Sequence, residues 1–336
     1  MFKKIAMFTD LHLGAKGNSK VHNQDCEDFI NWFIDNAKKH QCDTIVFGGD
    51  FHHNRNNINM CTLDYSVRVL EKISSNFEHF FMILGNHDLY YKDRRDIHSI
   101  RFANFINDIT VVNDILIYDK VALVPWLIGD EWKQVKKIKS PIVIGHFELP
   151  NFLVNANLKM PDSGQLNSQH FKHQKYVFSG HFHKRQQNGI VHYIGNAFPH
   201  SFSDNWDDER GMMILDIEND QEPLYLNWKD CPKYRTVLLS ELLNNTESII
   251  DNKVTLKVTL DMPISYEEAS YIKETFIEQY KCRDISLIQK NQTEDVDSTL
   301  NIEQLGTVDD IVSEELQNIN SEHFNKHVLM EIYSQL

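Results

Sequence analysis

Cysteine is scarce in this chain. There are five in 336 residues, at positions 26, 42, 61, 231 and 282, odd in number and without a C-x-x-C pair. That pattern excludes a disulfide framework and a zinc knuckle, and it reads as reduced thiols in a cytoplasm. Long apolar runs are missing too. Nothing approaches the roughly 18 residues that a membrane span needs, so no membrane partner is expected. The start, Met1-Phe2-Lys3-Lys4-Ile5, enters a strand directly, without the apolar block and cleavage site of a signal peptide. Internal repeats are absent.

Positive charge is also in short supply, with a formal net of −14. Its distribution matters more than its sum. Residues 291–336 hold ten Asp/Glu against one Lys, a net of −9, which leaves −5 for the other 290 residues. Two bound divalent cations would bring that body to about −1, so a polyanionic substrate is not excluded. A broad basic surface that binds nucleic acid indiscriminately is.

What is present is a repeating order of elements. Ile5–Phe8, Thr44–Phe47 and Phe80–Leu84 read as buried strands. Between them, Cys26, Phe29, Ile30, Phe33, Ile34 and Ala37, and then Leu63, Val67, Leu70 and Ile73, recur at helical spacing. Strand, helix, strand, helix, strand predicts an α/β domain with a parallel sheet. Further strands are expected at 121–124, 142–144, 176–178 and 212–215, with 151–174 a long polar loop holding one short helix. The composition shifts near 240. Residues 253–260 alternate strictly, and a helix near 265–280 and a strand at 285–289 follow, which predicts a small α+β unit over 241–290. Residues 291–303 form an acidic linker. Val308, Ile311, Val312, Leu316 and Ile319, then Phe324, Val328, Leu329, Ile332 and Leu336, form two apolar helical stripes.

The ends of the strands carry the chemistry. The first ends in Asp10-Leu11-His12, the second in Gly49-Asp50 and the third in Gly85-Asn86-His87-Asp88. Two later strands end in Gly145-His146 and Gly180-His181-Phe182-His183. Taken singly, each reads equally as a turn or a cap. In an open α/β sheet, however, such tips converge beyond the carboxyl ends of the strands. Asp10 and His12, and likewise His181 and His183, are two apart and would face one side of an extended segment. Carboxylates, imidazoles and an amide in this number exceed one tetrahedral zinc and suit two divalent ions of the manganese or iron kind. Two such ions clamp a phosphoryl centre, and Asp50, alone at its tip, is the natural bridge. His22, His40, His79, His98, His170, His173, His192, His323 and His327 are expected at the surface.

The order D-x-H, G-D, G-N-H-D, G-H, G-H-x-H resembles the calcineurin-like metallophosphoesterase superfamily. Within it the chain is similar to the nuclease subunits of SbcCD-type double-strand-break repair complexes, especially the short version in T-even-like phages. Val124-Pro125-Trp126, Gly145-His146-Phe147-Glu148-Leu149 and His192-Tyr193-Ile194-Gly195-Asn196-Ala197 carry that likeness. It covers 1–240 firmly and 241–336 by layout. The resemblance implies a four-layer αββα sandwich with a small capping domain and a helical tail. It implies one metal on Asp10, His12, Asp50 and His183, and another on Asp50, Asn86, His146 and His181. His87 would act at the scissile phosphate, Asp88 would hold its far nitrogen, and His53 would face the substrate. The implied function is a manganese-dependent DNA exo/endonuclease, a homodimer, working with an SbcC-type coiled-coil ATPase in repair and recombination. A small-molecule phosphodiesterase and a scaffold subunit are the rival readings. Arg55, Lys92, Arg94, Arg95, Lys184 and Arg185, with Tyr90, Tyr91 and Trp206, are candidates for touching phosphates and stacking bases.

Overall fold

Alternation along the apolar runs decides which side each strand buries. In β1 (Lys4–Phe8), Ile5 and Met7 enter one core while Ala6 and Phe8 enter another, as a period of two requires. The computed structural model describes residues 2–154 and 158–289. The expected linker at 291–303 and tail at 304–336 lie outside the described residues.

β1 lies between two neighbours in a six-stranded sheet. On one side β2 (Thr44–Phe47), β3 (Phe80–Ile83) and β4 (Ile109–Val112) follow in parallel. On the other, β11 (Gly211–Asp216) pairs antiparallel with β1, and β12 (Leu224–Asn227) antiparallel with β11. The second sheet has the order β5 (Leu116–Tyr118), β6 (Val121–Val124), β7 (Ile142–His146), β8 (Tyr176–Gly180), β10 (Val191–Tyr193), β9 (Gln186–Asn188), with β6, β7 and β8 parallel. The sheets share one core, in which Ile5, Met7 and Val46 meet Leu123, Ile144 and Phe178.

The outer faces are covered unequally. Helices Lys20–Lys39 and Met60–Ser74 lay Phe29, Phe33, Val69 and Leu70 on the first sheet. Over the second sheet, Phe147, Phe152 and Phe171 come mostly from irregular chain, with one short helix, Trp132–Val135. The 151–174 stretch is polar and aperiodic, and among its described residues it contributes a single 3-10 turn, Ser168–His170. The architecture is a mixed α/β sandwich of helix, sheet, sheet and a thin outer layer.

A third sheet, β13 (Lys233–Leu238), β14 (Val254–Leu260) and β15 (Asp284–Gln289), is wholly parallel. It has its own core of Val237, Leu256, Val258, Phe276 and Ile285. Its helix, Tyr266–Glu278, starts at a capping box in which Ser265 and Glu268 exchange side-chain-to-amide bonds of 3.1 and 2.7 Å. Because β13 pairs with β14, this sheet reaches back before the composition shift near 240. No helix among the described residues is long and apolar enough to cross a membrane.

Candidate metal centre

The carboxyl ends of β1, β2, β3, β7 and β8 meet, and the backbone beyond them is knitted together. The Asp10 amide donates to the Gly49 carbonyl at 2.9 Å and the His12 amide to that of Asp50 at 3.1 Å. The Thr9 hydroxyl donates to Asp10 Oδ2 at 2.6 Å, and the His181 amide to the same oxygen at 3.1 Å. Space is tight enough to require glycine. A Cβ on Gly85 would lie 2.2 Å from Asp50 Oδ1, and one on Gly49, whose φ is +106°, 2.3 Å from His146 Nδ1.

Asp10, His12, Asp50 and His181 themselves have φ of 52°, 51°, 62° and 88°. This left-handed region is disfavoured for side-chain-bearing residues and recurs at functional sites. It corrects the expectation of extended segments. β1 stops at Phe8 and β8 at Gly180, so Asp10/His12 and His181/His183 converge through tight turns and not through the pleat of a strand.

All seven expected donor residues come together, in two groups that meet at Asp50. In the first, Asp10 Oδ1 lies 3.9 Å from His12 Nε2 and 3.8 Å from His183 Nε2, and those two nitrogens are 3.2 Å apart. In the second, Asn86 Oδ1 lies 3.1 Å from His146 Nε2 and 3.0 Å from His181 Nδ1. Asp50 Oδ2 is 3.8 Å from His12 Nε2 and 3.4 Å from His146 Nε2, so it touches both groups. Lone pairs crowd one another here with few protons to share, which is how donors are arranged around cations. Two carboxylates, four imidazoles and an amide oxygen suit divalent ions of the transition series.

Partners behind the ligand atoms set their orientation. His146 Nδ1 donates to the Gly48 carbonyl at 2.8 Å, which turns Nε2 toward Asp50. His181 turns Nδ1 inward and meets Glu148 Oε1 with Nε2 at 3.2 Å. Burial strongly disfavours charge on both Asp50 and His146, but their contact wins. It holds the Asp50 carboxyl well below the usual carboxylate range and raises the His146 imidazole above its ordinary 6.5. Burial keeps His12 neutral, well below 6.5.

His87 stands beside this cluster. Its amide donates to Asp50 Oδ1 at 2.7 Å, and its ring packs edge-on to His12 with centroids 4.9 Å apart. The structure departs from expectation over what holds the ring. The His87 Nδ1 proton goes to the backbone carbonyl of His53 at 2.8 Å. The Asp88 carboxylate is spent on backbone amides, those of Gly85, Asp50 and Phe51 at 2.9 Å each and His52 at 3.3 Å. Asp88 therefore organises the chain and not the His87 ring. Burial and the neighbouring Asp50 charge push its carboxyl up to about 7, against the pull of those amides. His53 is exposed and lies roughly parallel to His87, centroids 5.6 Å apart, with Nδ1 3.4 Å from His12 Nδ1.

Several neighbours escape sequence reasoning. Glu148 sits two residues after His146, a spacing that could have flagged it. Trp126 packs against His181, 5.1 Å between centroids. His200 is buried beside His12 and His183. Two histidines expected at the surface are buried: His22, bonded through Nε2 to the His12 carbonyl at 3.0 Å, and His192, bonded to the Tyr225 hydroxyl at 2.8 Å. Both follow apolar spacing that a residue-by-residue reading of histidine ignores. Of the candidate phosphate contacts, Arg95 is committed to Glu131 at 2.7 and 2.8 Å and Arg185 to Ile194 and Asn227. The Trp206 ring lies under Arg235 at 4.3 Å.

The family model described as calcineurin-like phosphoesterase matches residues 3–185. The chain belongs to that family. As a calcineurin-like phosphoesterase it is a metal-dependent hydrolase of phosphate esters, and the His/Asp cluster is where it could hold divalent ions. This phosphoesterase is 26% identical over 233 residues to exonuclease subunit 1 of Enterobacteria phage T4, 65% of this chain and 66% of that protein. It thus spans a little under two thirds of that relative. Among solved structures it is similar to the nuclease MPE of Pseudomonas putida, with 19% identity, 56% of this chain and 66% of that one covered, and a TM-score of 0.31. A dimetal phosphatase from Danio rerio gives 12%, 68% and 99%, and 0.39. The phosphoesterase YfcE of E. coli gives 13%, 67% and 98%, and 0.32.

Proposed function

We propose that this phosphoesterase is a DNA nuclease that hydrolyses phosphodiesters with two divalent cations, Mn²⁺ above Mg²⁺. The observation that carries the reading is the position of Asp50 between two donor groups with His87 alongside. Asp10, His12, Asp50 and His183 would hold one ion, and Asp50, Asn86, His146 and His181 the other. Bound there, such ions supply charge neutralisation at a phosphate and activate water at neutral pH. The histidines and the asparagine make the set softer than the all-oxygen sites magnesium prefers.

The residues around the ions divide the remaining work. His87, with Nδ1 fixed on the His53 carbonyl, presents Nε2 outward; protonated, it gives that proton to the leaving oxygen, typically about 10²–10⁴-fold of rate. Asp50 orients it through the His87 amide. His53, stacked on His87, lines the same side of the entrance. Arg55 shares a solvent-filled recess with His53 and His87 and is placed to meet the next phosphate.

The likeness to a phage T4 exonuclease subunit supports a nucleic-acid substrate and a multisubunit enzyme. We extend that to DNA ends in repair and recombination, and to an SbcC-type ATPase docked by the two apolar stripes of 304–336, short helices being marginal alone in water. Homodimerisation belongs to the same reading. A small-molecule phosphodiesterase is the second reading, favoured by the commitment of Arg95 and Arg185 to protein partners. Purified protein with Mn²⁺ on labelled single- and double-stranded DNA, beside a model diester, separates them. Turnover of the diester unaffected by competing DNA, with no cleavage of the DNA, would overturn the nuclease reading. Loss of ATPase co-purification on truncation near residue 300, with cleavage retained, tests the docking.

A further inference from the structure

We propose that His200 is an additional imidazole ligand on the Asp10 side of this centre, which takes a transition-metal dication in a nitrogen-rich donor set. The inference rests on the reading that Asp10, His12 and His183 hold an ion. His200 lies on the chain after β10, outside every motif that drew attention to the other donors. Its ring centroid is 5.4 Å from that of His12 and 5.4 Å from that of His183, nearly perpendicular to both. One ring nitrogen from each of the three lies within 4.8 Å of the others.

Burial makes the placement costly unless something occupies it. His200 is 8% exposed, and its Nε2 is buried without a hydrogen-bond partner among the described residues. A buried polar atom left so costs about 1–3 kcal/mol. The surroundings hold the ring where it is. Its backbone amide donates to Asp204 Oδ2 at 2.8 Å, and Asp204 is in turn 3.6 Å from the buried Arg210. Phe198 and His22 wall the ring at 5.0 and 5.3 Å, edge-on. His22 is itself anchored to the His12 carbonyl, so it cannot turn away from the group it backs. An imidazole whose buried Nε2 has no partner, fixed beside two further imidazoles, has the chemistry of a metal ligand and not of a packing residue.

The test uses the full chain loaded with Co²⁺. Binding is followed by calorimetry and visible absorption, and the number of imidazole ligands by X-ray absorption. In the wild type the spectrum should require an imidazole beyond those of His12, His183, His146 and His181. His200→Gln and His200→Leu should lose that imidazole and weaken one of two bound ions by at least about tenfold, leaving the other unchanged. Two ions bound to either variant with wild-type affinity and spectrum would overturn the proposal. Should His200→Leu fail to fold, His200→Gln and the wild-type imidazole count decide. A wild type that binds no metal would overturn the two-metal reading beneath it, a result distinct from the one aimed at His200.

Discussion

The Asp50 amide donates to Asp88 Oδ2 at 2.9 Å, across 37 intervening residues. Together with the bonds from Gly85, Phe51 and His52, it makes one carboxylate the clasp between the tips of β2 and β3. Asp88→Asn puts an NH₂ against amide donors that now share one carboxylate. A buried donor left without an acceptor costs about 1–3 kcal/mol, so stability should fall by about that much, with metal affinity falling beside it. A thermal melt with and without Mn²⁺ checks this. Unchanged melting in both conditions would remove Asp88 from the clasp role.

His87→Ala and Asp50→Asn should fail differently. Asp50→Asn keeps an acceptor for the His87 amide but removes the charge between the two groups, so metal content should drop on both sides. His87→Ala should bind two ions as before and lose about 10²–10⁴-fold of hydrolysis. Metal analysis of each purified variant, set beside turnover of a diester, distinguishes them. Loss of metal from His87→Ala would move His87 into the ligand set.

Metal binding should release protons. His146 is raised from its ordinary 6.5 through its contact with Asp50, even though burial alone lowers it. A protonated imidazole has no lone pair for a cation. Below the raised value an incoming ion must displace a proton, so apparent affinity rises with pH through that window and levels above it. Calorimetry in buffers of different ionisation enthalpy at neutral pH measures the number released. A number of zero would show that His146 is neutral before metal arrives.

Much of this centre was legible because ligands at strand ends need a strand, a glycine and a donor in sequence, and Gly49-Asp50, Gly85-Asn86, Gly145-His146 and Gly180-His181 supply all three. The inner strands other than β10 were legible too, as short apolar runs. What sequence hid was contact that local pattern does not encode. Asp88 adjoins His87 in the chain, yet its partners are amides, three of them on another tip. His200 has no glycine before it and no second donor two residues away. β5, β9 and β12 are short edge strands, half-exposed, whose residues carry too little periodicity to stand out. Left-handed φ at Asp10 and His12 goes with the tip that pairs with them, and the modest preference of Asp and His for that region is too weak to announce it.

The last prediction concerns what ties the third sheet to the first helix layer. Asp25, on helix Lys20–Lys39, receives both terminal nitrogens of Arg283 at 2.6 Å, and Lys253 stands 3.6 Å away. Arg283 also donates its amide to the Val254 carbonyl at 2.8 Å, so the pair grips β14 where β15 begins. The Asp25 side chain is 3% exposed but those of Arg283 and Lys253 are 23% and 26%. Breaking a fully buried pair costs about 3–5 kcal/mol; with the two cations partly wet, about 2 kcal/mol is expected for Asp25→Ala. Asp25→Asn keeps one of the two acceptor oxygens and should cost less than Asp25→Ala. The loss should be local: amide exchange should quicken over 254–260 and 284–289 while the tips that carry Asp10 and Asp50 keep their protection. Metal content should hold at the wild-type level, because Asp25 contacts none of the donor residues. Exchange measured by mass spectrometry on the full chain reads each segment separately. Quickened exchange at the tips with none at β14 and β15 would mean that the bridge braces the metal centre and that the third sheet is held by other contacts.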